Sequence, residues 1–211
     1  MAKYPIYLEL AGKRVVVIGA GQVAARKVSS LHEAGARVIV IAKKVDPVFE
    51  KSCKLPNVEV VISAYSKDYL AEAVLAIAAT NDLELNRRIY KDCQELDVLC
   101  NVVDQPDLCD FFVPAVVKRG PLQIAVGTDG NCPAYAGHLR KKLQDQFTDD
   151  HGRFVIELES IRKHIIDQVA DPAERKAVLG RLAGDKSFDY FLDNGATDWR
   201  SYAQKIITQT Q

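Results

Sequence analysis

The stretch "VVVIGAGQVAARK", Val15–Lys27, decides the fold of this chain of 211 residues. Its apolar beginning, Val15–Ile18, has the length and the β-branched composition of a strand buried in a parallel sheet. Gly19 and Gly21 interrupt this run, and the apolar residues that follow recur at helical spacing. A strand, a glycine turn and a helix in this order predict the first unit of an α/β domain that binds a nucleotide.

The alternation of strands and helices continues beyond this unit. Leu83–Leu96 has the composition of a helix, and further short apolar runs are predicted as strands at Val38–Ile41, Val58–Ile62, Val74–Ala78 and Val98–Val103. Consecutive strands that are separated by crossover connections form a parallel sheet. We therefore expect a Rossmann-type, doubly wound α/β fold for this part of the chain.

The pattern changes after Asp104, where proline, glycine and aspartate become frequent. One strand is predicted at Leu122–Val126, and a helix is predicted from Pro133 to about Phe147. From His151 onward the pattern is helical, and Asp171 followed by Pro172 predicts a capped helix start. Apolar stripes on these helices must pack against the sheet domain or a partner subunit, which suggests a homodimer; they comprise Leu158, Ile161, Ile165, Val169, Val178 and Leu182.

The composition excludes several classes of protein. The 28 basic and 28 acidic side chains balance, which argues against a nucleic-acid-binding protein. No apolar run approaches the roughly 20 residues of a membrane helix, and the opening "MAKYPIYLEL" lacks an apolar signal core, so we expect a cytoplasmic protein. The five cysteines contain no C-x-x-C pair and predict neither a disulfide framework nor a metal site, but reduced and mostly buried thiols.

The turn Gly19–Ala24 fits the pattern G-x-G-x-x-A. The first glycine permits the tight turn, the second allows backbone amides to approach a pyrophosphate, and Ala24 keeps the helix close to the sheet. The helix N-terminus then favours the anion. The candidate cofactor-binding residues are Gly19, Gly21, Gln22, Val23 and Ala24. The alternative is a glycine turn with a structural role alone.

The second predicted strand leaves the type of dinucleotide open. An acid at its end would bind the ribose hydroxyls, but the chain has Ala42, Lys43 and Lys44 there, and the nearest acid is Asp46. The two lysines favour a 2′-phosphate and hence NADP. Alternatively, they are solvated surface residues.

Polar residues also follow two later strands. Thr80, Asn81 and Asn101 lie where the carboxyl ends of parallel strands place a ligand, and they could bind the nicotinamide carboxamide. The alternative for Thr80 and Asn81, together with Asp82, is capping of the helix that begins at Leu83. Both roles could hold together.

Asp104 closes an apolar strand. We expect this carboxylate to be partly buried beside the cleft, where partial burial raises its affinity for a proton and suits it to act as a general base. The alternative is a role in the turn before Pro106.

Four segments together resemble one known family. They are "PIYLELAGKRVVVIGAGQVAARKVSSLHEAGARVIVIA", "AIAATND…N", "NVVDQPDLCDFFVPAVVKRGPLQIAV" and "GTDGNCPAYAGHLRKKL". In this order and spacing they resemble precorrin-2 dehydrogenases of the siroheme-synthase N-terminal type, over about residues 4–147. The resemblance implies NAD-dependent oxidation of precorrin-2 to sirohydrochlorin, on the route to siroheme or cobalamin, by a homodimer. The family uses NAD without an acid at the second strand, so Ala42 and Lys43 become candidates for NAD binding.

The resemblance also implies roles for individual residues. Asp104 matches the essential aspartate of the family, and Thr128 falls where members often have a serine near the tetrapyrrole. The carboxylate-rich substrate calls for cationic groups, for which Arg119 and Arg140 are candidates through bidentate binding, with His138 in the same segment. The chain departs from the family pattern at Asp129, Cys132 and Gly137.

The expected organisation has three parts: an NAD-binding Rossmann domain at 1–112, a small α+β segment for dimerisation and substrate binding at 113–149, and a helical domain at 150–211. Some family members also insert iron or cobalt into sirohydrochlorin, and the sequence leaves this activity open. A further alternative is a non-catalytic module that senses NAD through its helical tail.

Overall fold

The computed structural model describes residues 3–209. Its first compact unit, which ends at Val113, contains a parallel sheet of five strands in the order β3-β2-β1-β4-β5. The strands are β1 Arg14–Ile18, β2 Arg37–Ala42, β3 Val58–Ile62, β4 Leu75–Ala78 and β5 Leu99–Val102. The order reverses between β1 and β4, so the sheet is doubly wound and confirms the predicted fold class.

Both faces of this sheet are covered, which explains why its central strands are continuous apolar runs. Val15 and Val17 of β1 pack on one face with helix α1, Gln22–Glu33. Val16 and Ile18 pack on the other face with helix α2, Leu83–Glu95. The apolar run that opened the sequence is therefore the centre of the core.

The connections on either side of β3 contain no α-helix among the described residues. Instead, three short 3₁₀ segments make these crossings, at Pro47–Phe49, Ser52–Lys54 and Lys67–Leu70. Phe49 and Leu70 are completely buried and anchor two of them in the core. The chain therefore completes the parallel crossovers with buried anchors in place of full helices.

The outer edge of β5 is covered by the chain that returns along it. The amide of Asp110 donates to the carbonyl of Cys100 at 2.8 Å, and its Oδ2 accepts from the amide of Cys100 at 2.8 Å. The same oxygen accepts from Nε2 of Gln94 at 2.9 Å. Asp110 thus satisfies both backbone groups of one edge residue and ties them to α2.

The second compact unit begins at Pro114. Strands β6 Ala115–Arg119 and β7 Leu122–Val126 form an antiparallel hairpin. Four helices follow: α3 Pro133–Gln146, α4 Asp149–Gln168, α5 Pro172–Leu182 and α6 Asp185–Thr208. Gly195 has φ 78° and marks a kink within α6.

The helical unit has its own core, in which Trp199 is completely buried and its Nε1 donates to Oγ of Ser187 at 2.8 Å. The predicted stripes on α4 and α5 pack against α6 here, with Ile165, Val178 and Leu182 fully buried. The expectation that these stripes need the sheet domain or a partner subunit is therefore wrong. The chain supplies the missing surface itself through α6.

The N-terminal caps of α5 and α4 differ in whether the sequence pattern predicted them. Asp171 accepts from the amides of Ala173 and Glu174, as the sequence predicts for the start of α5. At the start of α4, Nδ1 of His151 accepts from the amide of Thr148 at 3.1 Å and closes a capping box. Sequence reasoning missed this cap because the usual residue at that position is glutamate or glutamine.

All five cysteines are free, but Cys53 and Cys132 are exposed, so the expectation of mostly buried thiols is wrong for these two. The division into two compact units falls after Val113. The finer boundary at 149 stays a prediction.

None of the helices described is long and apolar enough to cross a membrane.

Candidate functional site

The glycine turn lies where the strand order reverses. Gly19 has φ 113°, and its amide donates to the carbonyl of Ile41 at 2.9 Å. A Cβ at Gly19 would lie 2.2 Å from the carbonyl oxygen of Ala79, which no side chain tolerates. Only glycine therefore allows the turn to pass between the ends of β2 and β4.

Gly21 leaves the N-terminus of α1 open. It has extended backbone angles and caps the helix without a side-chain hydrogen bond, and a Cβ there would meet no atom within 4 Å. The first amides of a helix have no partner within the helix, and here the first turn, which begins with Gln22 and Val23, contains no acidic residue. Ala24 is fully buried against the sheet. These residues fit the pyrophosphate of a dinucleotide.

The end of β2 lies where the sequence analysis expects the ribose of the dinucleotide. Ala42 is buried and Lys43 is exposed. Asp46, the nearest acid, uses Oδ1 to accept from the amide of Val48 at 2.9 Å and so caps the next 3₁₀ turn. Asp46 therefore has a structural role, and the roles of Ala42 and Lys43 toward the cofactor stay predictions.

The segment after β4 is a helix cap. Oδ1 of Asp82 accepts from the amide of Leu85 at 3.0 Å, and Oγ1 of Thr80 donates to Oδ1 of the buried Asn86 at 2.6 Å. The capping interpretation is thus confirmed for Asp82, and Thr80 supports the same turn. Asn81 is exposed. Cofactor binding by Thr80 and Asn81 stays a prediction.

Asn101 is 92% buried and holds the returning chain. Its Nδ2 donates to the carbonyl of Phe111 at 2.9 Å and lies 3.4 Å from Sγ of Cys109. The structure thus gives the amide hydrogens of Asn101 an internal use. Its predicted contact with the cofactor is untested.

Asp104 lies two residues beyond β5, in a left-handed conformation with φ 59°. It is exposed, so the expectation of partial burial is wrong. The reason is local, because the chain leaves the sheet after Val102, whose carbonyl accepts from the amide of Gln105 at 3.3 Å. Asp104 occupies the outside of this turn, where its carboxylate is open to a substrate.

The loop that carries Asp104, residues 103–109, is fixed at its base. Sγ of Cys109 lies 3.2 Å from the carbonyl of Val102 and 3.3 Å from that of Gln105. Burial is the main cause that raises the pKa of the Cys109 thiol, so the thiol keeps its proton and acts as the donor. Partly buried hydrogen bonds therefore anchor an exposed turn.

Lys27 is a residue that the sequence analysis did not single out. It lies on α1 and is half-buried; burial is the main cause that lowers its pKa, followed by the nearby charge of Arg26, while Cys109 opposes the shift. The sequence gives no sign of this burial or of the lowered pKa, because a lysine at this spacing on a helix is usually exposed. Cys109, whose charge acts on Lys27, lies far along the chain and is brought near it only by the fold.

The candidate substrate residues belong to the second unit. Arg119 donates from Nε to the carbonyl of Phe147 at 2.7 Å and from Nη2 to that of Gln144 at 2.9 Å, so it caps the end of α3. Arg140 donates to the side chain of Gln144. The structure thus brings both guanidinium groups to one residue, Gln144.

The other two candidates of this unit lie at the start of α3. Oγ1 of Thr128 accepts from the amide of Cys132 at 3.2 Å, which orders the turn before the helix. His138 is exposed and stacks on Tyr135 with ring centroids 6.2 Å apart. Asp129, one of the departures from the family pattern, has φ 56°.

Comparisons with known proteins agree with this geometry. Residues 6–115 match the family model described as "Putative NAD(P)-binding", and residues 119–146 match the model described as "Sirohaem biosynthesis protein central". A siroheme synthase from Serratia proteamaculans is 37% identical over 97% of this chain and 42% of its own length. One from Methylobacillus flagellatus is 34% identical over 83% of this chain and 38% of its own length. The chain thus spans less than half of these relatives.

A solved structure named SirC, precorrin-2 dehydrogenase, has the same fold. It superposes with a TM-score of 0.77 at 20% identity, covering 96% of this chain and 100% of its own. The matches confirm the family resemblance found in the sequence. With the open helix N-terminus at the reversal of the strand order, they show that the chain belongs to the NAD(P)-binding family whose model covers residues 6–115.

Proposed function

We propose that the chain is an NAD-dependent dehydrogenase that oxidises precorrin-2 to sirohydrochlorin on the route to siroheme or cobalamin. One observation carries this proposal. The open N-terminus of α1 lies at the switch point between β1 and β4, and the exposed carboxylate of Asp104 follows the adjacent strand β5. In open parallel sheets this edge is where ligands bind.

The sheet unit would hold the cofactor and move one proton. The first-turn amides of α1 bind the pyrophosphate, and Thr80 and Asn81 lie beyond β4 to position the nicotinamide end. Bound NAD supplies a hydride acceptor. Asp104 accepts the proton that the substrate releases when it loses the hydride, and the anchored base of its loop holds the carboxylate in place.

The second unit would bind the carboxylates of the tetrapyrrole. We assign Thr128, His138 and Arg140 to this role because they are exposed or half-buried and the substrate is an anion. Arg119 could take part only if its guanidinium exchanged the carbonyls of Phe147 and Gln144 for a substrate carboxylate.

A homodimer in the cytoplasm is part of the proposal. The hairpin β6–β7 supports the dimer because only one of its faces packs on the helices of its own unit; the other face is exposed, and Val116, 38% exposed there, offers an apolar contact to a second chain. Sedimentation of the protein at micromolar concentration should give the mass of two chains. A single species of monomer mass would contradict the dimer.

Turnover tests the proposed reaction directly. The purified chain with precorrin-2 and NAD should produce NADH, and the Asp104→Ala variant should lose this activity while it binds NAD as the wild type does. Near-normal turnover by the variant would remove Asp104 from the mechanism.

Two other results would change the assignment. Binding of NAD without any affinity for a tetrapyrrole would favour the non-catalytic sensor. Consumption of sirohydrochlorin with Fe²⁺ or Co²⁺, in the absence of NAD, would add the chelatase activity found in some members of the family.

A further inference from the structure

A groove between α4 and α5 has no part in the proposed reaction. It has a volume of about 330 Å³ and is lined by residues one or two helical turns apart on each helix, namely Arg162, Ile166, Pro172, Arg175, Lys176 and Leu179. We call it the α4–α5 groove. Three of the six side chains are cationic, and the other three give it an apolar floor.

The cations of the groove are not held in close ion pairs. Among residues 3–209, no salt bridge within 4.0 Å involves Arg162, Arg175 or Lys176. The nearby acids Glu159 and Asp171 have other close partners, although the charge of Arg162 is also one cause that lowers the pKa of Glu159, after its hydrogen bond and charge pairing with Lys163. Glu159 pairs with Lys163 at 2.8 Å, and Asp171 caps α5.

Arg175 also has an unsatisfied donor. Its Nη2 donates to the carbonyl of Ala170 at 2.9 Å, which fixes the guanidinium, whereas its Nε is buried and has no hydrogen-bond partner among the described residues. Buried donors without a partner are rare because their desolvation is not compensated by a hydrogen bond. Such a donor beside two unpaired cations calls for an anionic acceptor.

The apolar side chains of the α4–α5 groove indicate that the ligand also has an apolar part. Ile166 is 42% exposed, and Pro172 and Leu179 continue the apolar surface. A small inorganic anion would leave this surface exposed to water, whereas a carboxylate on an apolar ring or chain would cover it. The two surfaces together complement an amphipathic carboxylate.

We propose that the α4–α5 groove is a binding site for one carboxylate-bearing edge of a tetrapyrrole, separate from Asp104 in function. This inference rests on the proposed function for the identity of the ligand, because a carboxylate-rich macrocycle is then the molecule that the protein handles. Arg162, Arg175 and Lys176 bind the carboxylates, and the apolar floor contacts the ring edge.

Uroporphyrin, a stable carboxylate-rich porphyrin, is a suitable probe. Titrated into the isotopically labelled full chain, it should shift the amide signals of Ile166, Lys176 and Leu179. The double variant Arg162→Gln/Lys176→Gln should bind uroporphyrin at this groove about tenfold more weakly, since it loses two cations. Arg181→Gln, on α5 outside the groove, is the matched control and should bind as the wild type does.

Three outcomes would overturn the proposal. The α4–α5 signals could stay unchanged on titration, the double variant could bind as tightly as the wild type, or inorganic phosphate alone could produce the same shifts at the same concentration. Production of NADH from precorrin-2 is measured separately. If NADH is produced but the amide signals of α4 and α5 do not shift, this inference alone is contradicted. If these signals shift but no NADH is produced, the proposed reaction is contradicted and the groove remains a site for amphipathic carboxylates.

Discussion

Gly19 and Gly21 should fail in different ways when each gains a methyl group. Gly19→Ala places a Cβ 2.2 Å from the carbonyl oxygen of Ala79 and keeps the strained φ of 113°, so it should destabilise the sheet unit by about 2 kcal/mol or more. Gly21→Ala meets no atom within 4 Å and should change stability by less than about 1 kcal/mol. Urea denaturation followed by circular dichroism compares the two.

The binding of NAD separates these variants further. At Gly21 the added methyl group stands where the pyrophosphate approaches the helix amides, so calorimetry should show weaker NAD binding by a folded protein. A Gly21→Ala variant that binds NAD normally would contradict the assignment of the pyrophosphate to this turn.

Lys27 should make stability depend on alkaline pH. Burial lowers the pKa of Lys27 in the folded chain below the ordinary 10.5, so the unfolded chain binds more protons between the lowered value and 10.5. Stability from this group therefore rises with pH through that window, and below it the charged amine has its full cost.

The Lys27→Met variant should be more stable than the wild type at neutral pH, with a smaller gain above the window. Urea midpoints measured from neutral to alkaline pH test this, with the exposed Lys51→Met as control. An equal gain at every pH would exclude titration of Lys27 as the cause.

At the scale of elements, the edge of β5 links stability to the site. Asp110→Ala removes the acceptor of the Cys100 amide and the contact with Gln94, and should cost about 1–3 kcal/mol. It should also lower turnover, because the chain that holds the base of the Asp104 loop loses its attachment. Denaturation and NADH production measure the two effects.

Asp107→Ala is the matched control, since Asp107 is an exposed aspartate three residues before Asp110, within the Asp104 loop. It should leave the free energy of unfolding within about 0.5 kcal/mol of the wild type. A loss of stability as large as that of Asp110→Ala would mean that the loop is not held through Asp110.

Elements built from adjacent residues could be predicted from the sequence, whereas contacts between distant residues could not. Strand β1, the turn and α1 follow from one continuous pattern, and the cap at Asp82 from residue type alone. The use of Arg119 could not be foreseen, because its acceptors at Gln144 and Phe147 are brought to it by the fold of α3. The exposure of Asp104 likewise depends on where β5 ends.

The apolar stripes on the C-terminal helices α4 and α5 likewise show that a local pattern does not identify a distant contact. Their periodicity predicted the helices correctly, but it could not tell which surface covers them. Trp199 and Phe191 of α6 do so. Periodicity specifies a buried face and leaves the partner open.

At the scale of the whole molecule, the two compact units can be observed separately. The chain has one tryptophan, Trp199, which is buried in the core of the helical unit. At about 100 times its Kd, NAD should stabilise the sheet unit by roughly 2.7 kcal/mol. Circular dichroism reports the unfolding of both units, whereas tryptophan fluorescence reports the helical unit. With NAD bound, the two methods should therefore give different unfolding transitions.

The unfolding transitions measured by circular dichroism and by tryptophan fluorescence without NAD are the reference for this comparison. Equal shifts of both signals on addition of NAD would show that the two cores unfold as one cooperative system. A shift confined to the tryptophan signal would contradict the placement of the cofactor on the sheet.

The attachment of Asp110 to Cys100 also bears on colloidal behaviour. An uncovered outer strand is a template on which another chain can add by backbone pairing, and this is a common start of aggregation. Here the donor and the acceptor of Cys100 are already taken by the chain's own return. Loss of the Asp110 side chain would leave the amide of Cys100 unpaired at the edge of β5. The Asp110→Ala variant should therefore form aggregates at concentrations at which the wild type remains dispersed.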